Sequence, residues 1–209
     1  MNNDKATRTP QQARSMEKRR RLMDAAMRLF DTHGFDGTNA KAIARDAGVS
    51  VGTFYAYFKD KKDLLMEILG EHTAEIDTIF GKLEAAVRDG ATGREILRLA
   101  VAAGHASHTQ PPGLLRTMLA MRYTDDDMRR FQEAEETAHL KRMVGFLETL
   151  GPRLRVSDLE AAASVFGSAF EDILHSAIVF SQDIDRQRLH DALVDMGAAY
   201  LFTDPDARG

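Results

Sequence analysis

Residues 38–58, Thr38-Asn39-Ala40-Lys41-Ala42-Ile43-Ala44-Arg45-Asp46-Ala47-Gly48-Val49-Ser50-Val51-Gly52-Thr53-Phe54-Tyr55-Ala56-Tyr57-Phe58, spell out two short helices joined by a tight turn. Helices that cross steeply need a small residue where their backbones approach, and Ala44 provides it. The turn needs a residue that accepts a positive φ, which Gly48 does at no steric cost. Val49 and Phe54 then bury the joint. Thr38 is the expected N-cap of the first helix and Ser50 that of the second, each offering a side-chain oxygen to an orphan N–H. Ser50 thereby leaves the second helix presenting free N–H groups and its positive end outward, toward a phosphate or a base edge. This is the arrangement of a helix-turn-helix, whose second helix enters a major groove.

Helical periodicity extends on both sides, and no sustained alternation marks a strand. Upstream, residues 15–32 carry Leu22, Ala26, Leu29 and Phe30 on one stripe, with Gly34 just past the end. Downstream, Asp60 caps a helix over 61–87. Further helices are predicted over 93–107, 114–123, a long segment from the acidic turn Asp125-Asp126-Asp127 to Leu150, 157–181, and 185–202. Ser157 with Glu160 reads as the capping box of the eighth. The expected fold is all-α, about nine helices. A flexible arm (1–14) precedes a three-helix helix-turn-helix head (15–62) and a larger helical body (63–205).

Charge separates the same regions. Residues 1–62 hold 13 Lys and Arg against 7 Asp and Glu, whereas residues 63–209 hold 15 against 25. A basic head on an acidic body points to a polyanionic partner for the head alone. Cysteine is absent, which excludes disulfides, thiolate metal sites and cysteine nucleophiles. The longest uncharged stretch, 99–115, is broken by His105, His108, Gln110, Pro111 and Pro112. It does not suit a span of about 20 apolar residues. A cytoplasmic protein with no membrane partner and no cofactor is expected.

The run Ile43-Ala44-x-x-Ala47-Gly48-Val49-Ser50-x-Gly52-Thr53-Phe54-Tyr55-x-Tyr57-Phe58-x-Asp60-Lys61-x-x-Leu64-Leu65, with Gly34-Phe35 and Thr38 upstream, resembles the tetracycline-repressor-like (TetR/AcrR) family of bacterial transcriptional regulators. The resemblance covers residues 15–68. It implies a sequence-specific regulator, a ligand-responsive repressor binding double-stranded DNA at a palindromic operator as a homodimer. Thr38 would touch a phosphate, and Lys41 stands where some relatives place an arginine on guanine. Ser50, Val51, Gly52 and Thr53 would lead the recognition helix onto the bases. Tyr55, Tyr57 and Lys61 would reach phosphates. Taken alone, Tyr55 and Tyr57 also fit half-buried core residues with a wet tip, and Lys18-Arg19-Arg20-Arg21 fits either a solvated face or a phosphate contact.

For the body, the resemblance implies that the last two helices pair with their copies, through Ala162, Phe166, Ala169, Ile173, Leu189, Leu193, Met196 and Tyr200. The remaining helices would enclose a small apolar or amphipathic effector, with His105, Met118, Met121, Phe131, His139, Phe170 and His175 as lining candidates. The competing reading is a helical metal-binding enzyme or carrier. His105 and His108, Glu135 and His139, and Asp172 and His175 have ligand-compatible spacing. A di-iron bundle needs a second Glu-x-x-His copy that this chain lacks. With no phosphate loop, nucleophile elbow or His-Glu-x-x-His, no metal and no enzymatic activity are expected.

Overall fold

A computed structural model describes residues 10–107, 112–179 and 184–208. Among these the fold is all-α, with nine helices and no strand beyond an isolated bridge between Leu154 and Phe202. The chain divides into two compact units, Met1–Leu69 and Gly70–Gly209. No helix among the described residues is long and apolar enough to cross a membrane.

The first unit contains α1 (Pro10–His33), α2 (Ala40–Asp46), α3 (Val51–Tyr57) and the opening turns of α4 (Lys61–Arg88). α1 begins earlier than expected, so residues 10–14 are helical rather than part of an arm, while residues 1–9 lie outside the described residues. Pro10 suits the first helical position, where no N–H is needed. Leu22, Phe30, Ile43, Phe54, Leu64 and Leu65 are completely buried and Phe58 almost so. These come from all four helices, so the short α2 and α3 are held by tertiary packing; helices of this length are marginal alone.

The α2 cap differs from expectation. Asn39, not Thr38, accepts the Ala42 N–H on its side chain at 3.0 Å. Thr38 is 2% exposed and donates its hydroxyl to the Gly34 carbonyl at 2.8 Å, holding the turn from below. At the α2–α3 turn Gly48 adopts φ +66°, and Ser50 Oγ accepts the Thr53 N–H at 3.0 Å. Asp60 caps α4 through the Lys62 and Asp63 N–H groups, both at 2.8 Å.

The second unit is built from the rest of α4 and from α5 (Gly93–Ser107), α6 (Pro112–Thr124), α7 (Asp126–Leu150), α8 (Leu159–Val179) and α9 (Arg186–Leu201), with a 3₁₀ turn at Gly151–Arg153. Its core gathers Phe80, Ile96, Leu97, Phe146, Leu150, Phe166, Leu193 and Phe202. Asp125 and Asp185, read as the first residues of their helices, are instead the N-caps of α7 and α9. The capping box expected from Ser157 is not formed; Asp158 accepts the Ala161 N–H instead, at 2.9 Å. Residue 181, the expected end of α8, lies outside the described residues. A reciprocal box does open α5, where Thr92 N–H reaches Glu95 Oε2 at 2.8 Å and Glu95 N–H reaches Thr92 Oγ1 at 3.2 Å. The Thr92 N–H holds the Glu95 carboxyl below the usual range.

α8 packs tightly against α9 at Gly197. A Cβ there would lie 2.7 Å from the Phe166 ring and 3.0 Å from Leu97. Only glycine lets that ring slide under the α9 backbone.

Candidate functional site

α3 has two faces. Phe54, completely buried, and the C-cap residue Phe58 anchor the helix inward. Val51 (36% exposed), Gly52, Tyr55 (58%) and Ala56 look outward. Ser50 and Lys41 are also exposed, and Thr53 is half-buried with its hydroxyl 2.9 Å from Ser50 Oγ. Tyr57 is half-buried, and its hydroxyl meets Ser15 Oγ at 2.9 Å, tying the start of α1 to the end of α3. Lys41, Ser50, Val51, Gly52, Thr53, Tyr55 and Tyr57 therefore fall on α3 or on the adjoining α2. Thr38 does not join them, since its hydroxyl and its N–H (to Phe35 O, 3.2 Å) are both used inside the head.

Several cations are committed within the unit. Lys61 Nζ donates to Phe35 O at 2.6 Å and to Thr38 O at 2.9 Å, and lies 4.1 Å from the centre of the Phe35 ring. It pins the α1–α2 turn, leaving one N–H of three for anything outside. In the run 18–21, Arg19 pairs with Glu67 and Arg20 with Asp24 (3.2 Å), and Arg21 donates to the carbonyls of Ala47 and Gly48. Arg28 reaches Asp46 at 2.7 Å. Arg21 and Arg28 thus secure α1 to the end of α2, where exposed carbonyls favour a cation. Nothing in a run of basic residues distinguishes such a clamp from a solvated face.

Because Lys61 serves the fold, Lys61→Met is expected to lower the stability of the DNA-free head by about 1–2 kcal/mol, a charged hydrogen-bond loss discounted for partial exposure. Urea unfolding followed on the first unit would measure it. Unchanged stability would instead assign the ammonium wholly to an outside partner.

The effector candidates are spread over four helices. His105, in the last turn of α5, stacks edgewise on His190 of α9 with ring centres 5.2 Å apart. Phe170 and Leu174 of α8 fill the space in front of Gly104. Met121 is buried, whereas Met118 and Phe131 are half-buried, and the Met118 carbonyl accepts Gln132 Nε2 at 3.0 Å. His139 sets its ring edge 5.7 Å from Phe80. His175 Nε2 lies 3.8 Å from Glu171, on its own helix. Phe170 thus meets the neighbour of His105, the Met118 carbonyl meets the neighbour of Phe131, and His139, on α7, packs against Phe80 of α4. Among the described residues no three of His, Cys, Asp or Glu gather around a common point; His108 lies outside them.

The dimer candidates need correction. Ala162 (1% exposed), Phe166 (5%) and Leu193 (1%) are core residues of a single chain and closed to any partner. Ala169, Ile173 and Leu189 are half-buried, while Met196 (41%) and Tyr200 (37%) are exposed. The outward stripe of α8 is Ala161, Ser164, Val165 and Ser168, with Val165 60% exposed, and that of α9 is Ala192, Met196, Ala199 and Tyr200. α8 is apolar nearly all round, so its periodicity marks two apolar faces without saying which meets the core.

Two family models match. That for bacterial regulatory proteins of the tetR family covers residues 22–68, and that for the tetracyclin repressor-like C-terminal domain covers residues 94–201. The chain is 28% identical over 165 residues to the transcriptional repressor KstR of Mycobacterium tuberculosis, an alignment spanning 79% of this chain and 66% of the repressor. It spans two thirds or less of the curated relatives it matches, 40% for the fatty acid metabolism regulator protein of Bacillus subtilis. Among solved structures, a protein from Mesorhizobium loti described as a TetR-family transcriptional regulator superposes with a TM-score of 0.73 at 23% identity, over 91% of this chain and 99% of that one. The regulator FadR of Bacillus subtilis, solved with stearoyl-CoA, gives 0.68 at 21%, over 85% and 96%. With matched models in both units and a fold shared with its structural neighbours, the chain belongs to the TetR family of bacterial regulatory proteins.

Proposed function

We propose that this protein is a cytoplasmic, ligand-responsive transcriptional repressor that reads a palindromic operator as a homodimer. Residues 15–62 bind DNA, and residues 63–205 bind the effector and pair the subunits. The outward face of α3 carries this reading. Val51 meets a base edge, Gly52 lets the backbone come close, and Tyr55 and Tyr57 offer hydroxyls to phosphates. Ser50 and Thr53 hold the leading turn, and Lys41 adds a charge from α2. Thr38 and Lys61 act one layer behind, by fixing the turn that places α2.

Two copies put two α3 helices into successive major grooves, about 34–36 Å apart for half-sites one helical turn apart. Pairing uses the stripes that contain Val165, Met196 and Tyr200. The effector is a small apolar or amphipathic molecule, the class to which the stearoyl-CoA of the FadR complex belongs. It relieves repression by binding more tightly to a spacing of the heads that mismatches the operator.

Gly52 offers a sharp test. Its φ is ordinary, and a Cβ there would meet only Ser50 Oγ, at 3.7 Å. Alanine is the better helix former by about 1 kcal/mol, so the fold has no need of glycine. Gly52→Ala is expected to keep or raise stability yet to lose about 1–3 kcal/mol of operator affinity, the size of one good contact. The experiment is selection of bound sequences from a random duplex pool, run beside Gly52→Ala and Lys41→Ala. A palindrome enriched by the parent and weakened in Gly52→Ala supports the reading. No enrichment at low salt, where backbone contacts are strongest, sinks it.

A further inference from the structure

We propose that the α5–α9 edge is an anion site, formed by Arg186, His190 and His105, that takes a carboxylate or a phosphate. The two helices run antiparallel. Gly93 at the start of α5 lies under Phe202, just past α9, and His105 at the end of α5 meets His190 near the start of α9. Arg186 and His190 are four residues apart and share one face of α9. Arg186 Nη1 lies 3.3 Å from His105 Nε2. A guanidinium can only donate, so His105 accepts at Nε2 and carries its proton on Nδ1.

A permanent cation and two imidazoles therefore converge, and among the described residues no carboxylate forms an ion pair with Arg186. The acidic residues that flank Arg186 and His190 in sequence each commit one oxygen elsewhere. Asp185 Oδ1 caps the helix through the Arg188 N–H at 3.2 Å, and Asp191 Oδ1 accepts Gln187 Nε2 at 3.0 Å. His190 Nε2 is buried and has no hydrogen-bond partner among the described residues. Buried polar atoms are nearly always satisfied, and an oxyanion on Arg186 would accept from His190 Nε2 once that nitrogen carries the ring proton and a turn of the ring uncovers it. Next to His105, Gly104 faces the apolar side chains of Phe170 and Leu174. An amphipathic anion would thus find apolar surface one residue from the charged group.

That apolar tail rests on the reading of the body as an effector domain; the anion contact does not. The test follows the imidazole signals of the full chain by NMR, with inorganic phosphate, dodecyl phosphate and dodecanol as separate probes. Phosphate is expected to move the His105 and His190 signals with a Kd on the order of 1 mM. Arg186→Gln with His190→Gln should raise that Kd at least tenfold, and Arg186→Lys should recover part of it. Dodecyl phosphate binding far more tightly than either phosphate or dodecanol would make the site the head-group pocket of an amphipathic effector, whereas equality with phosphate would make it a free-anion site.

Signals unmoved by both phosphates, shifts that persist in the double variant, or movement with zinc but not phosphate would each overturn the proposal. Phosphate binding is read without DNA. A chain that binds phosphate but selects no operator would therefore sink the repressor reading and leave this one standing.

Discussion

Val165→Asp combined with Met196→Asp should convert a dimer into a monomer and lower affinity for a palindromic operator by about 10²- to 10⁴-fold, the gain that linking two sites confers. Both side chains stand on the outward stripes of α8 and α9, 60% and 41% exposed. In a single chain they touch little, so the monomer should keep its stability to within about 0.5 kcal/mol. In a two-fold interface each carboxylate would be duplicated, desolvated and opposed by its own copy. Sedimentation would report the oligomeric state, and fluorescence anisotropy with whole and half operators the affinity. Affinity for a half-site should be unchanged, because α3 is untouched. A double variant that stays dimeric would move the interface off this face, and Leu193→Asp offers the contrast: with its side chain in the core, it should unfold the body.

Gly48→Val carries the largest expected cost within the head, about 3 kcal/mol from two separable sources. The first is conformational: φ is +66°, and an L-residue there costs about 1–2 kcal/mol. The second is steric and electrostatic. A Cβ would lie 2.6 Å from Arg21 Nη2, the atom that donates to the Ala47 and Gly48 carbonyls. Moving the guanidinium removes a charge-assisted bond that holds α1 on the end of α2. Arg21→Met should show the second part alone, about half the total. Urea midpoints of the three proteins would separate the parts, and amide exchange in residues 40–57 should accelerate in step. Equal midpoints for Gly48→Val and the parent would refute the account of the turn.

The helix-turn-helix was legible because its signals are local. Gly48 for a positive φ, Ser50 for a cap and Phe54 for an inward anchor act within a few residues of themselves, and the structure repeats each. The boundaries of α5, the cap at Asp60 and the starts of α7 and α9, to within one residue, were readable for the same reason. Thr38 failed as a cap because two adjacent residues could both cap, and the choice fell to burial under α1. Asn39 stays exposed and caps, while Thr38 is turned inward to the Gly34 carbonyl. Ser157 lost to Asp158 in a similar contest of neighbours.

Residues remote in sequence decided the rest. Arg21 meets carbonyls 26 and 27 positions away. Lys61 turns back to carbonyls of the α1–α2 turn. His105 meets Arg186 and His190 only because α5 and α9 lie antiparallel. On α8, an apolar helix with two coverable faces, periodicity left open which face meets the core. What selects between them is Gly197, which admits the Phe166 ring beneath α9 and so turns Ala162 and Phe166 inward and Val165 outward. By itself the sequence determined the helices, the turn and the family, since φ preference, capping and periodicity are properties of short segments. Only the tertiary structure decided which side of each helix faces solvent and which charges are spent within the fold, because burial and long-range pairing depend on where distant segments come to rest.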